Sequence, residues 1–388
     1  MMLILSVLEI ILFILFAINV LYLLFFSVLS CKSVKSYKSL SVQPKKIAIL
    51  IPAYKEDGVI MECVESCLNQ EYPKDKYDIV VISDRMTDET NRLLSTLPIR
   101  LIEVFFKNST KSKALNYAMG QLGEYDIALV LDADNTIAPD FLTKIDLVFH
   151  TPSVEIVQAH RMAKNTNTHM ALLDAVSEEI NNSIFRKGHV NAGLSAALIG
   201  SGMAFKYPLF KQVMLTIDAV GGFDRALELT LLYEKKKVDY LPDADVLDEK
   251  VQYREAFSNQ RRRWMSAQVH YLNRFLTHLP AALKDKNWDF CDKLFQQVSI
   301  PRLILVGLLL ILAISFSFVN WSIAVKWWIL VVLLIFSLLL AIPRSLYKWD
   351  LLFALWELPY SFCLMFLNLF RLKGANKKFI HTSHGVKK

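Results

Sequence analysis

The chain opens on an almost unbroken apolar run, residues 3–29, in which Glu9 is the one charged residue. At about 1.5 Å per residue, that is enough helix to cross a hydrocarbon core of about 30 Å. A removable signal would show a basic leading region, a shorter apolar core and a small-residue cleavage site; none is evident, so the run reads as a retained anchor. Apolar stretches return at 303–319 and 327–342, separated by a short turn and followed by Arg344 and Lys348, which predicts a hairpin of two spans. A third stretch, 351–370, contains Glu357 and Pro359 and precedes a run of basic residues. Counting spans puts the tail outside, whereas its lysines argue that it stays inside. The stretch therefore reads either as a span or as a re-entrant or interfacial segment.

Between these ends the pattern changes. Residues 47–51, 79–82 and 127–131 are short apolar runs with polar carboxyl ends, the pattern of buried strands. Residues 59–70 and 111–122 have helical spacing, and Pro139-Asp140-Phe141 reads as a further helix start. Strand, helix and strand in repetition predict an α/β domain with a mostly parallel sheet, whose ligands bind at the carboxyl ends of the strands.

Composition fits this division. With 54% hydrophobic and 21% charged residues and a mean hydropathy of +0.33, the 388-residue chain is too apolar for an ordinary soluble enzyme and too charged for a bare membrane bundle. The central part, roughly 250 residues, is long enough to bury its own core. The pattern predicts a division into an N-terminal helix (1–30), a basic linker (31–45), a central α/β domain (46–255), interfacial helices (256–300), a C-terminal bundle (301–371) and a basic tail (372–388).

The net charge of +7 comes largely from Lys32, Lys35, Lys38, Lys45 and Lys46, from Arg261 to Arg263, and from the tail beginning at Arg371 (Lys373, Lys377, Lys378, Lys387, Lys388). Bases flanking apolar spans set orientation and meet lipid headgroups, which predicts a cytoplasmic catalytic domain on a multi-pass inner-membrane protein. Nucleic acid is not expected, because no groove-reading motif accompanies the charge. Five cysteines in no compact framework fit a reducing compartment, and Cys63 and Cys67 read as buried free thiols.

The candidate chemistry sits at the ends of the apolar runs. Asp132-Ala133-Asp134 closes the third predicted strand, where residues two apart face the same side. Two hard oxygen ligands so placed suit Mg²⁺ or Mn²⁺ bridging a diphosphate, although a surface turn shows the same pair. Gly200-Ser201-Gly202 either lets a ligand approach the backbone or makes a simple turn. Gly221-Gly222-Phe223-Asp224 opens a helix expected to run to Lys237, and Asp224 either caps it or serves as a general base. Gln260-Arg261-Arg262-Arg263-Trp264 is either a headgroup anchor or a site where a sugar stacks on the indole beside an arginine-clamped diphosphate.

Taken in order, these segments resemble the family 2 glycosyltransferases, in particular the membrane-embedded branch of cellulose, chitin, hyaluronan and poly-N-acetylglucosamine synthases. Pro52-Ala53-Tyr54-Lys55-Glu56 is similar to that family's first-strand motif, and Ser83-Asp84 with Thr87-Asp88 to its second acidic element. Ser83 and Arg85 stand where the family usually has Asp and Gly, and Phe223 precedes Asp224 where a Glu is usual. Lys111-Ser112-Lys113-Ala114-Leu115-Asn116, Asp132-x-Asp134 and Gln260-x-x-Arg263-Trp264 complete the set.

The resemblance implies a GT-A type, Rossmann-like catalytic domain flanked by transmembrane helices. It assigns Pro52, Ala53, Tyr54, Glu56, Asp84, Lys111, Asp132 and Arg263 to the nucleotide-sugar donor, and Asp132 and Asp134 to the metal. Gly200, Ser201, Gly202, Gln260 and Trp264 fall to the acceptor, and Asp224, with Glu228 as the alternative, is the base. The implied activity is inverting transfer from a UDP-sugar, UDP-N-acetylglucosamine or UDP-glucose, to a growing β-linked cell-surface polysaccharide. Single addition to a lipid-linked acceptor and a catalytically inactive scaffold subunit are the other readings.

Overall fold

A computed structural model describes residues 2–34, 37 and 43–371. Lys35, Lys38 and the basic tail 372–388 lie outside the described residues. Eight strands form one sheet: β1 (Ile47–Tyr54), β2 (Tyr77–Asp84), β3 (Arg100–Val104), β4 (Ile127–Val130), β5 (Thr136–Ile137), β6 (Ile156–Ala163), β7 (Met203–Lys206) and β8 (Asp239–Asp248). Their order is β3-β2-β1-β4-β7-β6-β8-β5. The first four strands pair in parallel, as the strand-helix repetition predicts, while β7 runs antiparallel to both β4 and β6.

Sixteen helices accompany the sheet among the described residues. The first eight are α1 (Met2–Ser30), α2 (Ile60–Leu68), α3 (Asp88–Ser95), α4 (Lys111–Gln121), α5 (Phe141–Phe149), α6 (His169–Asn181), α7 (His189–Asn191) and α8 (Tyr207–Met214). The second eight are α9 (Phe223–Tyr233), α10 (Arg254–Phe275), α11 (Leu279–Lys284), α12 (Trp288–Val298), α13 (Arg302–Val319), α14 (Trp321–Ala341), α15 (Trp349–Ala354) and α16 (Leu358–Leu369).

β1 is apolar almost throughout because both of its faces are covered. Ala48 and Leu50 pack with Val80, Ile82 and the α4 residues Leu115 and Ala118 on one side. Ile47, Ile49 and Ile51 pack with Val81, Leu129 and the α2 residues Ile60 and Val64 on the other. The side-chain period of two in an extended chain divides a continuous apolar run between two cores. Cys63 and Cys67 are free thiols buried in the second core. The helix expected to reach Lys237 stops at Tyr233, because the chain must turn to enter β8 at Asp239.

Among the described residues, four segments are long and apolar enough to cross a membrane: Leu3–Ser30, Arg302–Val319, Trp321–Ala341 and Trp349–Leu369. The first three pack together around Trp327, which is fully buried against Phe13, Phe16 and Phe316. Glu9 accepts hydrogen bonds from Trp327 Nε1 and Lys326 Nζ, both at 2.7 Å, so the charge in the first span is paired. The fourth segment is broken at Leu355–Glu357, between α15 and α16. Glu357 takes a two-pronged ion pair from Arg254 of α10 at 2.9–3.1 Å, and Asn368 donates to the Ser258 carbonyl at 3.2 Å. Both ends of α16 are thus held by the first turns of α10.

α1 is also built into the catalytic domain. Beyond α6 the chain continues as a π-helix, Asn182–Gly188, and a Cβ on Gly188 would lie 2.3 Å from the Phe26 carbonyl oxygen. Only glycine admits that approach of two backbones. Next to it Tyr22 donates to Asp292 at 2.8 Å, His189 lies 3.2 Å from the same carboxylate, and Phe26 stacks on the His189 ring.

Gly188→Ala should lower stability by about 1–3 kcal/mol, because backbone rather than a rotamer would have to yield. Gly120→Ala, in α4 with nothing within 4 Å, should be neutral or stabilising by up to about 1 kcal/mol. Thermal unfolding of both variants in nanodiscs checks the contrast; equal behaviour would remove the close approach as a constraint.

Candidate active site

The carboxyl ends of β1, β2 and β4 deliver their polar residues to one cavity of about 1290 Å³. Pro52, Ala53, Tyr54, Glu56 and Asp84 line its outer end, followed by Lys111, Asp132 and Asp134, then Gly200 and Asp224, and then Gln260, Arg263 and Trp264. The cavity continues past α6 and the start of α13 to Leu309, Leu334, Leu338 and Leu351, in the helices that are apolar enough for a membrane.

The floor is a tight polar turn. Asp132 N donates to Ser201 Oγ at 2.9 Å and to Asn135 Oδ1 at 3.2 Å, and Ser201 Oγ itself donates to Asn135. The Asp132 carboxylate is ion-paired with Lys111, whose ammonium also donates to the Gly200 carbonyl at 2.7 Å. A methyl group on Gly200 would lie 3.8 Å from Cβ of Asp224, so the DxD acid, the lysine and the candidate base share one corner.

Asp224 sits in the first turn of α9, behind Gly222 at φ +65°. It makes no cap, since the N-terminal position is Gly222. A Cβ at Gly222 would lie 2.7 Å from Cβ of Ala267, so glycine also lets α10 pack across the start of α9. Tyr271 of α10 fixes that crossing by donating to the Gly221 carbonyl at 2.9 Å. Burial and the Asp224 charge push the Tyr271 phenol up to about 12.

Asp134 is buried next to Asp248 at the end of β8. Burial first, and then the negative charges of Asp248 and Asp132, hold its carboxyl well above the usual range. Asp248 goes the other way: burial opposes its ionisation, but Arg161 and Lys250, the latter 2.7 Å away, hold it below its ordinary value. Arg161 also pairs with Glu178 at 2.9 Å, and Glu178 pairs with the fully buried Arg186 at 3.0 Å. No group of three or more His, Cys, Asp or Glu side chains converges as a ready-made metal cage among the described residues. The crowded Asp132 and Asp134 nonetheless suit a hard divalent cation that completes its shell with phosphate oxygens and water.

Residues 44–267 match the model of the glycosyltransferase-like family 2. The chain belongs to that family. It is 26% identical over 284 residues to a β-monoglucosyldiacylglycerol synthase of Nostoc, a match covering 69% of this chain and 58% of the relative. A probable glycosyltransferase of Bacillus subtilis is 22% identical over 242 residues, covering 60% of this chain and 57% of that protein. The chain thus spans under three-fifths of the length of these curated relatives. In fold it is similar to a mannosyltransferase of Pyrobaculum calidifontis solved with GDP-Man and Mn²⁺, with a TM-score of 0.55 at 18% identity, over 85% of this chain and 98% of that one.

Two places where this family 2 chain departs from the usual motif have local explanations. Ser83 donates to Asn91 at 2.7 Å beneath the strand end. Arg85 holds φ +58°, the region glycine favours, anchored by a 2.9 Å bond to the Phe106 carbonyl and by stacking over Phe105. Asp84 Oδ1 is buried without a hydrogen-bond partner, and burial raises its pKa.

Three residues expected at the acceptor or as the alternative base are engaged in the fold itself. Ser201 is fully buried with its hydroxyl committed to Asp132 and Asn135, so it positions the acidic turn and presents no face to a sugar. Gly202 lies under β8, where a Cβ would meet Val246 at 2.9 Å; packing, not a ligand, requires glycine there. Glu228 is held by Lys293 at 2.7 Å and by the Leu198 amide at 3.0 Å, which spends it on an internal ion pair. Trp264 reaches the cavity, but the Arg261 guanidinium covers one face of its indole at 4.3 Å.

Sequence reasoning missed Arg161, Glu178, Asp248 and Lys250. No spacing signals them, because β6, α6 and β8 meet only through the sheet order.

Asp134→Asn should raise the melting temperature of the metal-free protein at neutral pH. About 1 kcal/mol moves a domain of this size by about 2–4 °C. The raised carboxyl costs stability wherever the unfolded chain would ionise it, so the gain should begin to shrink as the pH falls below that raised value and be gone only when the pH reaches the ordinary carboxylate range. Thermal scans across pH, with and without Mn²⁺, check this: metal should stabilise the parent protein and not the variant.

Proposed function

We propose that the protein transfers a sugar, with inversion, from a UDP-sugar to a hydroxyl of an amphiphilic acceptor at the cytoplasmic face of the cell's inner membrane. The observation that carries this reading is the continuity of the cavity, from the carboxylates at the strand ends to apolar helices that suit a bilayer. A sugar polymer is polar along its whole length, whereas a lipid acceptor changes character at the depth where this lining does. The relatives named as β-monoglucosyldiacylglycerol synthases support a lipid acceptor and glucose as the sugar transferred. The Gln260-Arg263-Trp264 signature favours the second reading, extension of a β-linked polysaccharide.

Asp224 accepts the proton of the acceptor hydroxyl, whose oxygen attacks the anomeric carbon opposite the departing nucleotide. Gly200, without a side chain, leaves room beside that carboxylate. Asp84, with an unpaired buried oxygen, accepts from the base of the nucleotide, next to Pro52, Ala53, Tyr54 and Glu56. Arg263 and Lys111 meet the negative charge that grows on the leaving diphosphate. Asp132 and Asp134 would hold Mg²⁺ or Mn²⁺, which supplies further charge to the diphosphate. Gln260 and Trp264 bound the acceptor side, and Gln260 Oε1, buried without a partner, is an acceptor available to a hydroxyl.

Asp224→Asn should lower turnover roughly 10²–10⁴-fold with donor binding retained, whereas Glu228→Gln should cost mainly stability by stranding Lys293. UDP release from UDP-glucose and UDP-N-acetylglucosamine measures turnover, and solvent partition of labelled product reads the acceptor. Label in the organic phase supports a lipid product. Label confined to an ethanol-insoluble polymer would establish the second reading, and full turnover by Asp224→Asn would remove the base assignment.

A further inference from the structure

The charges along the cavity are not evenly compensated. Near the strand ends the cations face carboxylates: Lys111 pairs with Asp132, Lys250 with Asp248 and Lys293 with Glu228. Arg302 differs. It is the first residue of α13, where the polar lining gives way to the apolar one, and its hydrogen bonds all go to neutral acceptors. These are Asn181 Oδ1 at 3.1 Å, Ser177 Oγ at 2.8 Å and the Ser177 carbonyl at 3.1 Å. Glu178, whose charge is felt there, is already shared by Arg161, Arg186 and Lys250. Arg261, across the cavity on α10, pairs with Asp174 yet keeps a buried Nε without a hydrogen-bond partner.

We propose that Arg302, with Arg261, binds a phosphate group that joins the apolar tail of the acceptor to its hydroxyl-bearing head. The proposal rests on the amphiphile reading above and names its chemical class: an anionic, phosphate-containing lipid in preference to a neutral one. A guanidinium at the edge of an apolar cleft is costly without a counter-charge, and its planar fork matches two phosphate oxygens. Ser177 and Asn181 hold that fork in place from α6. Past it, Leu309, Leu334 and Leu338 form an apolar wall for the tail. A glycerophospholipid headgroup and an isoprenoid diphosphate both present this chemistry.

The test titrates the full-length protein in detergent with dioctanoyl phosphatidylglycerol, farnesyl diphosphate and dioctanoylglycerol, read by tryptophan fluorescence, since Trp264 and Trp349 line the cavity. At least one phosphate-bearing amphiphile should bind about tenfold or more tightly than dioctanoylglycerol, and the tighter of the two identifies the source. Arg302→Gln should abolish the preference and Arg302→Lys should retain part of it, with thermal unfolding reporting that each variant is folded. Equal affinity of the parent protein for all three overturns the phosphate assignment and leaves the amphiphile reading standing. Binding of none overturns both. A preference undiminished in folded Arg302→Gln overturns the role of Arg302.

Discussion

Burying charge is the constraint on which the rest of this structure depends. Arg161 on β6, Glu178 on α6, Arg186 on the π-helix and Asp248 and Lys250 at the end of β8 are buried or mostly buried along one wall of the cavity, and each is tolerable only because the others are present. The set fastens the sheet to the helix that borders the apolar half of the cavity. It also fixes the carboxylate beside Asp134. One ionic network therefore sets the distance between the reacting end of the cavity and its membrane end.

The first half of the domain was legible because its information is local. β1, β2 and β4 are short apolar runs, their polar ends face one cleft by the geometry of parallel strands, and α4 follows Thr110, which caps it by accepting from Lys113 N. Asp132, Asp134, Lys111 and Asp224, each within a local motif, line one cavity. The second half depends on pairings between distant segments. β7 inserts between β4 and β6 in the opposite direction, and that insertion buries Ser201 and Gly202 under the acidic turn instead of exposing them. Glu228 and Lys293 are 65 positions apart, a separation that hides their pairing from any local pattern. The broken segment 349–369 carried conflicting signals because Glu357, at its break, is held by an ion pair to Arg254, a partner about a hundred residues upstream.

The electrostatic cost of burial is most visible at Asp134. A buried carboxylate beside two others lowers the stability of the metal-free protein, and the fold tolerates it because Asp132 is neutralised by Lys111 and Asp248 by Lys250. Arg85 shows the same tolerance on a smaller scale: a left-handed backbone is held by stacking and one hydrogen bond where glycine would be unstrained.

The junction of α1 with Gly188, His189 and Asp292 has a consequence for how the protein comes into being. α1 precedes the catalytic domain in the chain, yet it forms part of that domain's wall. Once α1 has entered the bilayer it presents a fixed surface, and the π-helix and α12 complete their packing against it. The segment is then no interchangeable leash: exchanging it for another apolar helix would remove Tyr22, which donates to Asp292, and the Phe26 ring stacked on His189.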